Sequence, residues 1–442
     1  MDSDIKFFYV YCSTIVEILL SKTIMKLNFF LVVLMILFIY SNINAQSDAD
    51  TISNNKGAAI NNLKFVPIPI IAANPTVGVL YGLAFSSTAI LGDPANTRMS
   101  TSSGTVNYST NNQFLSLIKT NIYTSRDEWI LLGDWRFFDS SQPTFGLGTG
   151  PESIKLVSND SIEYQDGIFT KPVPESQMMA YKYIKLSEIV LRKVNKYFYL
   201  GIGLHLDYHF NIEDNLLNLD TTGGKRAAIT SHYAYSKVHG YNHESYMLSG
   251  LSFNTVYDSR DNSANPYSGR YALISYRINP TMFGSDQNSS SLWLEYRDYF
   301  SVSKKRKRDL IAIWAYANLE VTGKRPYMDL AAIGWDQFGR SGRAYVQGRF
   351  RGNSMVYSEV EYRKHLWGTK KNPELIGAVA FVNATTASNY DAGQKLYKYV
   401  NFGYGIGLRV MLIKASRINV TIDYAWGAYG AKGIFINANE AF

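Results

Sequence analysis

The chain has 442 residues, 46% of them hydrophobic and 14% aromatic, and its 33 Tyr and 33 Gly suit an all-β protein better than a helical one. Its one cysteine, Cys12, lies in the N-terminal leader, so the exported chain has no thiol for disulfide or nucleophilic chemistry. The net charge of +8 does not indicate nucleic-acid binding, because the one dense basic run, KKRKR at 304–308, sits between two strand-like segments as a charged turn, suited also to anionic lipid headgroups.

The first element is the leader. MKLNFFLVVLMILFIYSNINA (25–45) has one Lys, an apolar run at 27–40 and a small residue before Gln46. This is the pattern of a secretory signal peptide, and the run is short for a membrane-spanning helix. Residues 1–24 do not resemble a signal n-region, so translation is expected to start at Met25. The segment 46–75, with the proline-rich FVPIPIIAANP, is expected to be a short periplasmic stretch before the first strand.

From there on the chain alternates with a period of two. In 197–211 the even positions Phe198, Leu200, Ile202, Leu204 and Leu206 oppose Gly201, Gly203, His205, Asp207 and His209. In 401–412 Phe402, Tyr404, Ile406 and Leu408 oppose Gly403, Gly405, Gly407 and Arg409. The apolar faces are long, aromatics gather at strand ends, and the other face is polar, as a lipid-facing wall around a polar lumen requires. A lipid-exposed sheet must close on itself to pair its backbone. The expected fold is therefore a 16-stranded antiparallel transmembrane β-barrel over 76–442. Its strands are expected near 76–87, 102–110, 113–123, 128–138, 145–150, 178–193, 197–212, 244–258, 269–281, 289–302, 307–320, 352–364, 373–383, 400–413, 418–427 and 432–442. Short links at 109–112, 194–196, 303–306 and 414–417 are assigned to one rim and long ones at 151–177, 213–243 and 321–351 to the other. Phe442, at the end of the last alternating stretch, is expected to be an interfacial anchor.

Three stretches carry a family resemblance. YDSRDNSANPYSGRYALISYR (257–277) resembles the strand–turn–strand signature of the BamA/TamA-type outer-membrane assembly factors, the bacterial surface antigen family, at Asp258, Arg260, Asp261, Asn262, Pro266 and Gly269. GRAYVQGRFRGNSMVYSEVEYR (342–363) is similar to the family's loop-six signature, with Arg343, Ala344 and Tyr345 at the motif positions and Ala344 where the family usually has Gly. The closing INVTIDYAWG and IFINANEAF fit the same family. The resemblance spans roughly residues 60–442 and implies a bacterial outer-membrane location. It also implies that Arg343 folds into the lumen against an inward acid, for which parity offers Glu359, Glu361 and Asp423. The family's periplasmic POTRA modules have no counterpart here, so the chain resembles a POTRA-less member.

The function so implied is outer-membrane protein assembly, secretion or envelope biogenesis, through a weak seam between TVGVLYGLAFSS and GIFINANEAF. The expected partners are outer-membrane lipid, nascent outer-membrane or secreted proteins and periplasmic proteins. A transport pore for small solutes is the alternative, and a lipid-modifying enzyme ranks below it. No G-x-S-x-G, Walker or dinucleotide motif occurs, so no catalytic residue or cofactor is expected. His205, Asp207 and His209 share a face in a spacing open to a metal, but they read as polar lumen lining, and no metal is assigned.

Overall fold

The computed structural model describes residues 60–442 apart from 75–77, 151–162, 166–167, 170–172, 174–175, 264, 337–338, 415–416 and 439; the leader lies outside the described residues. Sixteen strands form one sheet, each antiparallel to the next in sequence. They are β1 (Ile60–Asn74), β2 (Gly78–Leu91), β3 (Ser100–Ser109), β4 (Phe114–Tyr123), β5 (Trp129–Thr144), β6 (Gln177–Lys193), β7 (Phe198–Asp214) and β8 (Tyr246–Asp258). Then follow β9 (Gly269–Asn279), β10 (Ser289–Ser301), β11 (Leu310–Thr322), β12 (Met355–Trp367), β13 (Ile376–Ala387), β14 (Asn401–Ile413), β15 (Ile418–Gly427) and β16 (Lys432–Ala438).

The sheet curls into a transmembrane barrel. The link after β2 reaches β8 through Arg98 and Asp258, and the loop after β5 reaches β14 through Asn401, which donates to the Thr149 carbonyl at 2.6 Å. The polarity is inverted relative to a soluble sandwich. On β7 the outward Leu200, Ile202 and Leu204 are exposed while Asp207 and His209 are buried; on β14 Phe402, Tyr404, Ile406 and Leu408 are exposed while Arg409 is buried. Lipid takes the outer face, and the buried charges of the wall are paired inside, while outward pairs such as Arg270–Asp298 and Lys182–Asp139 are partly exposed.

The sixteen strands are not quite the expected sixteen. Residues 145–150 are not a sheet strand: Gly148 makes only an isolated bridge to Arg351 in the loop after β11. The missing member is β1, which begins within the segment expected to be periplasmic and pairs with β2 from Asn74↔Gly78 to Ile60↔Leu91. Its prolines hid it. Pro67 and Pro69 both face outward, at the same parity as Leu63 and Phe65. Proline is tolerated in a strand whose missing N–H faces away from a neighbour, and β1 stands at one end of the strand order. The correction moves link 110–113 to the rim of the long loops. The short rim keeps 124–128, 194–197 and 414–417, while 145–176, 215–245 and 323–354 occupy the other. It also puts β1, not TVGVLYGLAFSS, at the end of the order opposite β16.

Candidate functional site

The loop 323–354, between β11 and β12, turns into the lumen, where Ala331–Ala332 pairs with Arg351–Gly352 to form its stem. At its tip Arg343 is buried. Its Nη1 donates to Asp423 Oδ2 on β15 at 3.0 Å, and its Nη2 donates to Glu359 and Glu361 on β12. The guanidinium lies 3.6 Å from the centre of the Phe381 ring on β13. One side chain thus meets all three acids that parity turned inward. Burial opposes its charge, but Glu359, Glu361 and Asp423 outweigh it and raise its pKa well above the ordinary value.

The cluster is wider than these four residues. Arg363 donates to Glu361 Oε2 at 2.7 Å, and Arg409 donates to Asp423 and, at 2.7 Å, to Glu440 Oε2. Three arginines and four carboxylates therefore interlock loop six, β12, β14, β15 and the residues after β16. Arg363 shares the parity of Glu359 and Glu361 on β12, and Arg409 that of Gly403, Gly405 and Gly407 on β14, whereas Glu440 follows the last strand and carries no periodic signal.

Tyr345 accepts from Ala428 N at 2.8 Å and donates to the Phe402 carbonyl, so it ties loop six to β14 and the β15–β16 turn. Ala344 lies between Arg343 and Tyr345 at φ 107°, a conformation that disfavours a side chain. Arg349 stacks 4.6 Å from the Phe145 ring centre, and the fully buried Arg351 donates to the Tyr327 and Met328 carbonyls at 3.0 and 2.8 Å.

Loop six and the barrel wall are characteristic enough to place the chain. The sequence matches the Omp85 superfamily domain over residues 103–429. The chain belongs to the Omp85 superfamily. Its fold is similar to BamA from Haemophilus ducreyi lacking POTRA domains 1–3, at 15% identity and TM-score 0.51, covering 88% of this chain and 70% of that one. CdiB from Acinetobacter baumannii aligns at 10% identity and TM-score 0.46, covering 85% and 58%. No curated protein matches the sequence. As an Omp85 barrel it resides in the outer membrane.

The turn signature of this Omp85 barrel lies at the opposite rim and does not join loop six. Asp258 accepts from Arg260 Nε at 2.9 Å and from Arg98 Nη1 at 3.0 Å. Asp261 accepts from Tyr267 N at 2.9 Å and from Arg417 on the β14–β15 link at 2.7 Å, and Asn262 accepts from Asn265 N at 2.8 Å. Pro266 is buried within this turn. Gly269 has φ 95°, and a Cβ there would stand 2.3 Å from the Ser259 carbonyl oxygen, so the turn requires glycine.

Phe442 is the clear departure. It is not an interfacial anchor: β16 ends at Ala438, and the Phe442 ring lies inside, 5.3 Å from Trp314, with Arg363 Nη2 donating to its oxygen at 2.9 Å. Glu440 drawn to Arg409 turns the chain inward. Burial opposes the charge of Glu440, but Arg409 and Arg363 lower its pKa to about 2.

His205, Asp207 and His209 do share the inward face, but each has its own partners. His205 sits between the Ser187 and Ser252 hydroxyls at 2.9 and 2.7 Å, Asp207 accepts from Arg277 at 2.6 Å, and His209 stacks on Tyr183 at 4.2 Å. Among the described residues no group of three or more His, Cys, Asp or Glu is arranged to hold a metal.

Proposed function

We propose that this barrel assists the insertion or export of other outer-membrane or secreted polypeptides, using the two ends of its sheet as a template. The observation that carries the reading is the loop-six anchor. Arg343 braces β12 against β15 from inside, so that wall keeps its shape while β1 and β16 stand as the two ends of the strand order. The β1 sequence supports it. Pro67 and Pro69 each lack an N–H and share a parity, so one edge of β1 has two gaps in its donors. A gapped ladder is easier for an incoming strand to displace, and an exposed strand edge pairs with an extended segment through its main chain. β16, only seven residues long, offers little to close it.

The partners on this reading are nascent chains in extended form and the periplasmic proteins that deliver them. Depletion of the protein followed by quantification of the other outer-membrane and secreted proteins tests it. A selective fall is expected, and unchanged levels count against an assembly role. The solute-pore alternative has less support, because loop six occupies the lumen. Beneath it a cavity of about 240 Å³ remains, lined by charges already paired, such as Arg136–Asp134 and Arg277–Asp207. Bilayers holding the purified barrel are expected to stay silent, and sustained conductance would favour the pore.

A further inference from the structure

The positive charge is unevenly placed on the short-link rim. Links 92–99, 124–128, 194–197 and 259–268 balance four Lys or Arg with four Asp or Glu. The neighbouring links 302–309, 368–375 and 414–417 carry nine Lys or Arg against two Asp or Glu. The two acids are engaged: Asp309 with Lys364 at 2.8 Å, and Glu374 with the Tyr267 hydroxyl at 2.7 Å. Residues 304–307, Lys370, Lys371 and Lys414 are exposed, and among the described residues none of them makes an ion pair. Lys414 Nζ reaches the Lys371 carbonyl at 3.3 Å, so two of the links touch.

This crescent sits where the lipid-facing wall ends, on the rim of short links that barrels of this kind turn to the periplasm. Val302, Leu366, Trp367 and Leu412, all exposed, adjoin it in sequence. Immediately above lies an outward groove of about 570 Å³ on β12–β16. Its floor is the small Ala378 and Ala380; its walls include Tyr362, Ile406, Leu408 and Tyr424. Ala378 is only three residues beyond the link that carries Lys370 and Lys371. An apolar furrow running down to unpaired cations matches one ligand chemistry, an acyl chain ending in an anionic headgroup at the membrane interface.

We propose that β12–β16 and the links 302–309, 368–375 and 414–417 form a binding site for an anionic phospholipid of the periplasmic leaflet. One acyl chain lies over Ala378 and Ala380, and the phosphate rests on Lys370, Lys371 and Lys414. The run at 304–307 extends the positive field to neighbouring headgroups. The site includes the outer face of β16 and is defined independently of what the terminal strands do.

The test is native mass spectrometry of the full chain from micelles doped with equal phosphatidylglycerol and phosphatidylcholine of identical chains. Retention of phosphatidylglycerol is expected to exceed that of phosphatidylcholine by on the order of a hundredfold, falling about fivefold for each of the three charges removed. Lys370→Gln/Lys371→Gln/Lys414→Gln, all on exposed turns, is expected to abolish the preference while leaving the fold intact. Ala380→Phe, filling the groove from the lipid side, is expected to reduce retention of both lipids. Equal retention by the native chain overturns the proposal, as does a preference that survives the triple substitution. If that triple variant keeps its lipid ratio but loses a periplasmic protein on co-purification, the crescent is a protein dock and the lipid site is wrong.

Discussion

Arg343 is the residue on which loop six depends. Arg343→Ala leaves Glu359, Glu361 and Asp423 with only Arg363 and Arg409 near them, and removing one partner from a buried ionic cluster costs about 3–5 kcal/mol. The expected outcome is a lower unfolding temperature in heat-modifiability gels and faster external proteolysis within 323–354. Arg343→Lys is expected to recover only part of the loss, because an ammonium lacks the planar fork that spans two strands. Its neighbour predicts the opposite sign. Ala344 holds φ 107°, and Ala344→Gly removes that penalty, so stability is expected to rise by about 1 kcal/mol in the same gels. A fall on Ala344→Gly would show that the buried methyl matters more than the backbone.

At the scale of elements, the least conventional is the end of the chain. Glu440 and Phe442 leave the sheet and close the ionic cluster from below. The pKa of Glu440 is about 2 in the folded protein against an ordinary 4.5. A depressed acid stabilises the fold fully above the unfolded value, and the contribution is lost as pH falls through 4.5 toward 2. The difference corresponds to about 3 kcal/mol. Thermal midpoints measured from pH 6 to pH 2 should therefore drop more steeply for the native chain than for Glu440→Gln; parallel curves would remove Glu440 from the cluster's energetics. Strands were the legible part of this chain. Because lipid on one side and paired charge on the other impose a strict period, alternation located fifteen of the sixteen, fourteen of them to within about four residues at either end, while β5 runs on to Thr144, six residues past its expected end. The same parity set Glu359, Glu361 and Asp423 inward, where they surround Arg343. What parity could not carry was anything outside a ladder. Glu440 and Phe442 follow the last strand, so their inward turn is set by Arg409, Arg363 and Trp314, contacts with no local signature.

At the scale of the whole barrel, the one strand that alternation missed, β1, is one of the sheet's two ends. In FVPIPIIAAN the prolines look like a break in structure, yet they occupy the positions an end strand tolerates. They also make a prediction about the seam. Each peptide N–H in a strand alternates between its two edges, so Pro67 and Pro69 both remove donors from the same one. Pro67→Val/Pro69→Val restores two donors without altering the outward apolar face, and is expected to strengthen the β1–β16 junction by about 1 kcal/mol per bond. Stability should then rise while the proposed assembly role declines, read as a higher heat-modifiability midpoint together with lower levels of the other outer-membrane proteins in cells carrying only the variant. The two readouts separate the possibilities. Higher stability with unchanged levels means that the seam does not open during function. Lower stability means that the prolines face β2 and the gaps lie within the sheet, not at its edge.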